Sequence, residues 1–499
     1  MSSFVLDEAL RIGIGAVAWN DGAIDAGWSR VTSDSRSAGP GVAFVAVRGE
    51  KADGHDFVSA AFEAGSPVVI VQDERSLEGA PVMRVANSRR ALAVLAARVQ
   101  NDPSSGFLLA AVTGTDGKTS TAMLLEAGFA ACGLVPGLVG TVEYRYGGVR
   151  EPSEMTTPGP IELQALFARM RDRGVNAVAI EVSSHALDQG RVEALDFTVA
   201  VETVLTRDHL DYHKTIENYR AAKERLFLEL LPASPRAKGA VVNGDEPFGQ
   251  HLARTCPVPT VTFSTREGGG DLCPQMATYD LEGIRARIRT PWGFFDIASP
   301  LVGPHNLANL LAAIAAAGMA GLDLPRFVEG VCGLACIPGR LERVRGRRNV
   351  RVYVDYAHTP KAIENVLTVL RPMVGSSRLT IVMGAGGDRD RGKRPLMGRA
   401  SALLADRVVV TSDNPRSEQP DAIIAEILEG IRAVEAEGQT LPPFEVQPDR
   451  RAAIDQAIRN ARDGDVVVIA GKGHEDYQIL GSHRIHFSDV ETAREILDA

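Results

Sequence analysis

A glycine loop followed by a lysine and a threonine is the first feature of the sequence that could do chemistry. In the stretch FLLAAVTGTDGKTST, Gly114 and Gly117 lie in the loop, and Lys118 and Thr119 end it. Glycines let backbone N–H groups turn toward phosphate oxygens, a lysine neutralises outer phosphates, and a threonine hydroxyl can ligate Mg²⁺. Since Val112 stands where the general phosphate loop has a glycine, this is a shortened GTxGKT form. The pattern favours a nucleoside triphosphate site over a tight turn without a ligand.

Polar clusters lie at predicted strand ends in the middle of the chain. They are Thr156-Thr157-Pro158, residues 181–185 and residues 207–213. Ligands of an open α/β sheet collect outside the carboxyl ends of its strands, so Glu181 and His209 are candidate Mg²⁺ ligands beside Thr119. Two alternatives stay open. His209 and His213 are spaced like a zinc pair, although no HExxH glutamate and no nearby cysteine accompany them, or the clusters are ordinary turn residues with satisfied side chains.

A lysine on the apolar side of a predicted helix is the next candidate. Residues 216–231, IENYRAAKERLFLELL, have helical periodicity, and Lys223 falls on the same face as Tyr219 and Leu226. Such a lysine either extends its ammonium group to solvent or is held inward for a purpose. The residues alone favour extension to solvent.

The last third of the chain has four predicted strands, and each of them ends in polar residues. The four stretches are VRVYVDYAHTP with Asp355 and His358, RLTIVMGAGGDRDRGKRP with Arg389, DRVVVTSDNPRSEQP with Asp413, Asn414 and Arg416, and DVVVIAGKGHEDYQ with Lys472, His474 and Glu475. Predicted helices separate these strands, so parallel pairing would bring the four loops to one edge. Arginines and carboxylates in about equal measure suit a ligand that carries both amino and carboxylate groups.

The elements that must position these residues alternate between strand and helix, which predicts an α/β protein. We expect three domains, over residues 1–102, 103–338 and 339–499. The central one should be a doubly wound sheet that carries the phosphate loop. The C-terminal one should be Rossmann-like, and the N-terminal one a smaller α/β domain with strands near residues 41–47 and 66–72.

Other polar residues have weaker patterns. Ser33-Asp34-Ser35-Arg36 and residues 48–55 flank the first strong strand and could hold a phosphorylated ligand, although polar turns have the same composition. Asn306 precedes an alanine-rich segment and could recognise a base, but a helix cap is the default interpretation.

Composition limits the class of protein. The chain has 499 residues, 45% apolar and 23% charged residues, and a formal net charge of −9, without a long basic run. We therefore expect no nucleic-acid partner. Five cysteines without a CxxC pair are typical of reduced thiols in a cytoplasmic protein. The N-terminus does not have the pattern of a signal peptide, and residues 307–324 are too weakly apolar to span a bilayer.

These motifs together resemble one family, the Mur ligases. The resemblance rests on GTDGKTS, EVSSHALDQGR, RDHLDYH, AAK at residue 223, GPHN, PGRLE, DYAHTP, GGDRDRGKRP, DNPR and AGKGHEDYQ, which run in family order through nearly the whole chain. DNPR together with GKGHEDYQ is the most specific of them. The resemblance implies an enzyme of cytoplasmic peptidoglycan synthesis that joins an amino acid to UDP-N-acetylmuramoyl-L-alanyl-D-glutamate with ATP and Mg²⁺. It also implies a monomer without nucleic-acid or membrane partners.

The resemblance also assigns residues to ligands. Nucleotide contacts would be Gly114, Thr115, Asp116, Gly117, Lys118, Thr119, Ser120, Asn306, Arg340 and Asp355. The UDP moiety would contact Ser33, Ser35, Glu50, Lys51 and Ala52, and the muramoyl peptide Thr156, Thr157, Ser183, Gln189 and Arg191. The incoming amino acid would contact Arg389, Asp413, Asn414, Pro415, Arg416, Gly471 and Glu475. Lys223 would be a carbamylated lysine that helps to place Mg²⁺, which reverses the preference for a solvent-exposed ammonium group.

The identity of the added amino acid depends on Arg416. Lysine and meso-diaminopimelate differ by one distal carboxylate, and a guanidinium can donate two parallel hydrogen bonds to a carboxylate. With lysine bound, the arginine would lose this partner. We therefore expect meso-diaminopimelate. The alternatives are the same reaction with L-lysine, folylpolyglutamate synthesis by the same fold, and a nucleotide-binding regulator without catalysis.

Overall fold

The computed structural model describes residues 4–49, 52–73 and 81–499. Its contacts divide the chain into two compact units. The first consists of Met1–Gln275, Ile288–Phe295 and Ala308–Val331, and the second of Met276–Arg287, Asp296–Leu307 and Cys332–Ala499. The three-domain division at residues 102 and 338 stays a prediction.

The N-terminal part of the first unit is a small sheet with helices packed on it. Its elements are α1 (Glu8–Ile14), β1 (Ala16–Trp19), α2 (Asp21–Asp25), β2 (Arg30–Thr32), β3 (Val42–Val45), α3 (Val58–Glu63), β4 (Val69–Val71), β5 (Val82–Val85) and α4 (Ser88–Val99). The strand order is β1-β5-β4-β3-β2, with β1 antiparallel to β5 and the others parallel. The strands form where buried, mostly aliphatic side chains follow one another. β3 and β4 lie within the two stretches that the sequence predicted as strands, residues 41–47 and 66–72.

The middle of the chain forms an eight-stranded sheet. Its elements are β6 (Leu108–Thr113), α5 (Lys118–Ala131), β7 (Pro136–Val139), β8 (Glu143–Tyr146), β9 (Val149–Pro152), α6 (Pro160–Asp172), β10 (Ala177–Glu181), α7 (Ser184–Asp188), β11 (Val199–Glu202), α8 (Leu210–His213), α9 (Ile216–Arg225), α10 (Leu231–Ala233), β12 (Gly239–Asn243), α11 (Pro247–Thr255) and β13 (Thr260–Phe263). The order is β13-β12-β11-β6-β10-β7-β8-β9.

The strand order of this sheet positions the predicted clusters. β6 pairs in parallel with β10 on one side and with β11 on the other, so their carboxyl ends lie at the same edge. The glycine loop follows β6, the run from Val182 follows β10, and the run that includes His209 follows β11. This placement agrees with the general rule for ligand sites of open α/β sheets.

Three long strands and two helices complete this region. They are β14 (Cys273–Asp280), β15 (Gly283–Thr290), β16 (Gly293–Ser299), α12 (Pro304–Ala320) and α13 (Leu324–Cys332). The separate sheet β14-β15-β16 was not predicted from the sequence. α12 is the predicted alanine-rich buried helix. Among the described residues, none of the helices has both the length and the hydropathy required to cross a membrane.

The C-terminal part of the second unit contains the four predicted strands. Its elements are β17 (Glu342–Val344), β18 (Arg351–Asp355), α14 (Pro360–Val374), β19 (Leu379–Met383), α15 (Lys393–Leu404), β20 (Arg407–Val410), α16 (Pro420–Ala436), β21 (Phe444–Val446), α17 (Arg450–Arg459), β22 (Val466–Ala470), β23 (Tyr477–Leu480), β24 (His483–His486) and α18 (Asp489–Asp498). The order β17-β18-β22-β19-β20-β21 makes β18, β22, β19 and β20 adjacent and parallel. Their four polar loops therefore lie at one edge, as predicted.

Candidate active site

The glycine loop between β6 and α5 is shaped by two glycines. Gly114 has φ 150° and Gly117 has φ 84°, values that side-chain-bearing residues rarely adopt. A Cβ on Gly114 would lie 1.9 Å from Thr203 Oγ1, and one on Gly117 would lie 2.6 Å from Asn309 Oδ1. Because no side chain fits at either position, the loop backbone packs closely against its neighbours and leads directly into the helix N-terminus, where an anion is favoured.

Two lysines converge on a single carbonyl of this loop. Lys118 Nζ donates to Gly114 O at 2.9 Å and to Thr115 O at 2.8 Å. Lys223 Nζ donates to Gly114 O at 2.8 Å and lies 3.4 Å from Thr113 Oγ1. Lys223 is only 1% exposed, so the interpretation that its ammonium group extends to solvent is wrong. The structure instead brings it to the predicted phosphate site.

The environment of Lys223 favours its neutral form. Burial lowers the pKa of Lys223 well below its ordinary value, and the neighbouring charge of Lys118 lowers it further. The ring of Tyr219 lies 4.8 Å from its Nζ, and the Tyr219 hydroxyl is 2.9 Å from Thr115 Oγ1. A neutral amine is the nucleophilic form of lysine, which is the form that carbamylation by CO₂ requires.

The helix that carries Lys223 differs from the prediction at its end. α9 ends at Arg225, and Leu226–Leu230 form a π-helical turn. Such turns insert an extra residue into a helix and are frequent at functional sites.

Oxygen donors for a divalent cation meet at the start of α5. Thr119 Oγ1 donates to Glu181 Oε2 at 3.1 Å, and Thr141 donates to both Glu181 oxygens, from N at 2.9 Å and from Oγ1 at 3.0 Å. Thr119 and Glu181 are both buried. A hydroxyl and a carboxylate beside a phosphate loop are the hard oxygen ligands that Mg²⁺ prefers, so these residues fit the ion.

His209, the third candidate Mg²⁺ ligand, lies in a group of rings after β11. Its φ is 52°, and its ring centroid is 5.0 Å from that of His185 and 6.1 Å from that of Tyr219. The Tyr219 hydroxyl contacts Thr115 in the glycine loop. Tyr219 therefore connects His209 to the glycine loop. The other two candidate Mg²⁺ ligands, Thr119 and Glu181, contact each other directly.

The zinc alternative is not supported. Within the described ranges, the only three metal-ligating side chains whose ligand atoms lie close together are Asp53, His55 and Asp73. His213 is buried, with its Nε2 3.0 Å from Ser184 Oγ. A three-ligand site around His209 and His213 is therefore absent from this part of the structure.

The group of Asp53, His55 and Asp73 is better explained as a structural ion pair. His55 Nε2 accepts a hydrogen bond from Gln72 N at 2.9 Å, so its Nδ1 carries the proton and donates to Asp53 Oδ1 at 2.6 Å. Arg48 bridges the two carboxylates of Asp53 and Asp73. Both ring nitrogens and both acids already have partners, which leaves no ligand set for a cation.

The five residues predicted to contact the muramoyl peptide form one hydrogen-bonded network. Thr157 Oγ1 donates to Glu181 O at 2.8 Å and accepts from Ser183 N at 3.1 Å. Arg191 Nη1 donates to Thr157 O at 2.8 Å, and its Nη2 donates to Gln189 Oε1 at 2.6 Å. Thr156 Oγ1 lies 3.0 Å from Thr141 Oγ1, which itself contacts Glu181. Glu181, the candidate cation ligand, is therefore part of the same network.

The residues predicted to contact UDP lie after β2 and β3. Ser33 is exposed, and Ser35 begins a 3₁₀ turn, Ser35–Ser37, that Asp34 caps. The Ala52 carbonyl accepts a hydrogen bond from Gly49 N at 3.0 Å. Glu50 and Lys51 lie outside the described residues. Since β2 and β3 are adjacent parallel strands, the two loops share one edge of the N-terminal sheet.

Two of the predicted nucleotide contacts of the second unit, Asp355 and Arg340, lie at the end of β18, and the third, Asn306, lies in α12. Asp355 is buried, accepts hydrogen bonds from Leu341 N at 2.7 Å and Ala357 N at 2.9 Å, and has its pKa raised to about 6 by burial. Arg340 stacks over the Tyr356 ring at 5.4 Å. Asn306 lies inside α12, and its Nδ2 donates to Val302 O at 2.9 Å. The helix-cap interpretation of Asn306 is therefore wrong, because the helix begins at Pro304.

The loops after β20 and β22 are joined by side chains of the predicted amino-acid site. Asn414 Nδ2 donates to Glu475 Oε2 at 2.9 Å. Asn414 Oδ1 accepts from Ile479 N at 3.0 Å and from Lys472 Nζ at 3.3 Å. Burial raises the pKa of Glu475, while the charge of Lys472 opposes this shift. The structure thus places an amide, a carboxylate and a buried ammonium group in direct contact.

Two arginines of this site lie against the loop after β19. Arg416 has φ 54°, and its Nη1 donates to Gly387 O at 2.7 Å. A Cβ on Gly386 would lie 3.0 Å from Arg416 Nη1 and 3.7 Å from Arg389 Cγ. Arg389 itself is exposed.

The other predicted residues pack closely at the same loops. Asp413 is buried, Gly387 packs on the Pro415 carbonyl, and Gly471 packs on the Asp413 carboxylate. The second unit therefore brings all seven predicted residues to one edge of its sheet.

Sequence reasoning missed two buried cations that support these loops, Arg394 and Arg450, and did not predict the burial of a third, Lys472. Lys472 is fully buried, and its Nζ contacts Asn414. Arg394 contacts Glu418, Glu426 and the Gly386 carbonyl. Arg450 pairs with Asp489. For Arg394 in α15 and Arg450 in α17, a charged residue on the buried face of a predicted helix was the available signal, but the same position also allows a solvent-exposed head group.

Comparison with known families supports the assignment of the motifs. Residues 112–317 match the Mur ligase middle domain, residues 339–473 match the glutamate ligase domain of Mur ligases, and residues 28–104 match the catalytic domain of the Mur ligase family. These three matches cover most of the chain in the order that the motifs indicated.

Individual relatives resemble the chain over nearly its full length. The chain is 45% identical over 482 residues, 95% of itself and 94% of the relative, to the UDP-N-acetylmuramoyl-L-alanyl-D-glutamate--2,6-diaminopimelate ligase of Synechococcus elongatus. A solved ligase of the same name covers 99% of both chains with 31% identity and a TM-score of 0.74. A MurF ligase from Thermotoga maritima, solved in complex with ADP, has 19% identity and a TM-score of 0.56 over 94% of this chain and 96% of its own. At this identity, it shows the fold alone.

Proposed function

The chain belongs to the Mur ligase family, and from this we propose that it joins meso-diaminopimelate to the D-glutamyl residue of UDP-N-acetylmuramoyl-L-alanyl-D-glutamate with ATP. The observation that carries the proposal is the 45% identity, over 95% of the chain, to a ligase named for this reaction. The DNPR loop in contact with Glu475 supports the choice of amino acid. The product is a precursor of peptidoglycan.

The reaction requires an activated carboxyl group. An oxygen of the D-glutamyl γ-carboxylate attacks the γ-phosphorus of ATP, ADP leaves, and an acyl phosphate forms on the peptide. The neutral amine of diaminopimelate then attacks the acyl carbon, phosphate leaves, and the amine loses a proton as the amide forms. Two anions must approach each other in the first step, so positive charge at the phosphates and accurate positioning supply most of the catalysis.

Each group of residues has a proposed part in these steps. Lys118 and the N–H groups of the glycine loop hold the phosphates, with Asp116 and Ser120 in the same loop. Thr119, Glu181 and His209 would hold Mg²⁺, which would neutralise the phosphate charge when bound. Thr156, Thr157, Ser183, Gln189 and Arg191 would orient the peptide. Ser33, Ser35 and residues 50–52 would hold UDP. Asn306, Arg340 and Asp355 would contact the nucleotide.

We propose three domains that bind UDP-peptide, ATP and amino acid in chain order, and a cytoplasmic monomer that acts on small molecules without nucleic-acid or membrane partners. The free state of all five cysteines is in keeping with a reducing compartment.

The purified protein should release phosphate only when ATP, Mg²⁺, the UDP-muramoyl dipeptide and meso-diaminopimelate are all present. The physical reason is that the acyl phosphate requires the peptide, and its breakdown to amide requires the amine. A coupled phosphate assay with a panel of amino acids, checked by mass spectrometry of the UDP product, measures this. Equal turnover with L-lysine would overturn the choice of amino acid. Hydrolysis of ATP that ignores the peptide, or no hydrolysis, would favour a regulator.

Lys223→Met should reduce turnover at least about a hundredfold, because the buried amine would no longer form the carbamate that helps to place the cation. Intact-mass and ¹³C NMR measurements on protein kept in ¹³C-bicarbonate should show one labelled carbamate in the wild type and none in the variant. Lys238→Met is the matched control, since Lys238 precedes β12 at the opposite edge of the same sheet and donates to Ala320 O. A fully active Lys223→Met enzyme, or a wild type that is active without label, would contradict the proposed carbamate.

A further inference from the structure

An arginine and an aspartate form a buried ion pair beneath the proposed amino-acid site. Arg450 Nε donates to Asp489 Oδ1 at 2.7 Å, and Arg450 Nη2 donates to Asp489 Oδ2 at 2.7 Å. Both side chains are 0% exposed. Arg450 begins α17 and Asp489 begins α18, so the pair also joins two helix starts. Two parallel hydrogen bonds between a guanidinium and a carboxylate fix the orientation of both groups.

The same guanidinium also bridges two strand ends. Arg450 Nη1 donates to Ser412 O at 3.2 Å, just after β20, and its Nη2 donates to Ala470 O at 3.0 Å, at the end of β22. β19 lies between these two strands in the sheet, so no ladder hydrogen bond connects them directly. Arg450 therefore supplies a link across three strands at the edge where the loops begin.

The residues that follow these two carbonyls are proposed ligands. Asp413 follows Ser412, and Gly471 follows Ala470. A Cβ on Gly471 would lie 2.4 Å from Asp413 Oδ2 and 3.8 Å from Arg450 Nη2. The two loops thus meet directly beside the guanidinium, with no room for a larger residue.

Electrostatics keep Arg450 charged at this place. Burial opposes its charge, but Asp489, together with smaller contributions from Asp413 and Glu475, holds the pKa of Arg450 above its ordinary value. Arginine provides five donors in a planar fork, which lysine or an apolar residue cannot reproduce. The hydrogen bonds that Arg450 donates therefore depend on the shape of its guanidinium group and not only on its charge.

We propose that Arg450 is a positioning residue of the amino-acid site, which sets the separation of the 413–416 and 471–475 loops through the carbonyls of Ser412 and Ala470. The proposal rests on the proposed function, because that function assigns these loops to the incoming amino acid. Loss of the bridge should let the loops move apart, so that Asp413 and Glu475 no longer hold one ligand together. A displacement of about 1 Å is enough to cost about a hundredfold.

The competing explanation is that the ion pair only stabilises the fold. The double variant Arg450→Met/Asp489→Leu separates the two roles, because replacing a buried ion pair by apolar residues of similar volume is often neutral for stability. It removes the donors to both carbonyls without leaving an unpaired charge. The matched control is Arg378→Met/Asp465→Leu. That pair, with Arg378 Nη2 2.7 Å from Asp465 Oδ2, precedes β19 and β22 at the opposite edge of the same sheet.

The measurement is steady-state phosphate release, with the KM for each of the three substrates, together with the melting temperature of each variant. We expect Arg450→Met/Asp489→Leu to fold and to raise the KM for diaminopimelate about tenfold or more, with the KM for ATP and for the UDP-peptide within about twofold of wild type. The control pair should leave all three KM values unchanged.

Other outcomes overturn the proposal. A folded double variant with an unchanged KM for diaminopimelate, or a control pair with the same increase, would leave the ion pair with a stabilising role alone. If the double variant does not fold, Arg450→Lys keeps the charge but loses the fork, and an unchanged KM in that variant contradicts the proposal equally. A wild-type protein without diaminopimelate-dependent phosphate release would instead refute the proposed function, and this positioning role with it.

Discussion

Lys118→Ala should lower the turnover number for phosphate release about a thousandfold while the protein stays folded. Lys118 Nζ now donates to the carbonyls of Gly114 and Thr115, which hold the ammonium group over its own loop. In the reaction, this group would face the phosphate oxygens, where negative charge is transferred from one anion to another. Removing one charged donor from such a site costs about two to three powers of ten in rate.

The turnover number is measured at saturating substrates, and single-turnover phosphate release then isolates the chemical step from product release. Lys238→Ala serves as the control, since Lys238 lies before β12, away from the carboxyl edge of the sheet. A Lys118→Ala enzyme that keeps more than about a tenth of the wild-type turnover would show that the loop lysine does not act on the phosphates.

The close approach of Lys118 and Lys223 connects this variant to the proposed carbamate. The charge of Lys118 is the second cause, after burial, of the lowered pKa of Lys223. Without Lys118, the pKa of Lys223 should rise, so that a larger fraction of its amine is protonated and unable to react with CO₂. The ¹³C carbamate signal of Lys118→Ala should therefore be weaker than that of the wild type, in addition to the loss of turnover.

Local patterns in the sequence were sufficient for the elements that carry the ligands. The glycine loop between a buried strand and a helix was predicted from a few adjacent residues, because φ values such as that of Gly117 are open to glycine. The four C-terminal loops were predicted to share an edge because helices between the strands require parallel pairing. In both cases, the physical cause lies within a short stretch of chain.

Contacts between distant residues could not be predicted in the same way. Arg450 and Asp489 are partners across 39 positions, and Lys223 and Gly114 across 109. Helical periodicity placed Lys223 on an apolar face but did not show whether its ammonium group points to solvent or into the protein, since the flexible side chain allows both. The helix-cap interpretation of Asn306 is wrong because the sequence pattern does not locate a helix start to within two residues, and this helix begins at Pro304.

The charges of the C-terminal site agree with a ligand that has two ammonium and two carboxylate groups. Asp413 and Glu475 offer negative charge, while Arg389 and Arg416 offer positive charge at the loop after β19. Lys472 neutralises part of this negative charge, because its Nζ contacts Asn414 Oδ1 and lies close to the carboxylate of Glu475. An added amino acid without the distal carboxylate would leave one of the arginines without an anionic partner.

Arg416→Ala should therefore raise the KM for meso-diaminopimelate about a hundredfold and remove most of the preference over L-lysine. The surroundings of Arg416 fix its position. Its backbone has φ 54°, its N donates to Ile479 O at 3.1 Å, and its Nη1 donates to Gly387 O at 2.7 Å. A left-handed conformation at a residue other than glycine is strained and persists where the surroundings enforce it. A hydrogen bond to a charged group is worth about 1.5 to 3 kcal/mol, which corresponds to about ten- to a hundredfold in affinity.

The measurement is KM and kcat/KM for meso-diaminopimelate and for L-lysine with wild type, Arg416→Ala and Arg371→Ala. Arg371 is the control because it pairs with Asp406 at 2.8 Å, before β20 at the opposite edge of the sheet. If Arg416 binds the distal carboxylate, its loss should affect diaminopimelate far more than lysine, because lysine has no such group. Equal losses for both amino acids would mean that Arg416 holds the shared part of the substrate or only the loop, and the discrimination would then have to come from another residue, for which the exposed Arg389 is the next candidate.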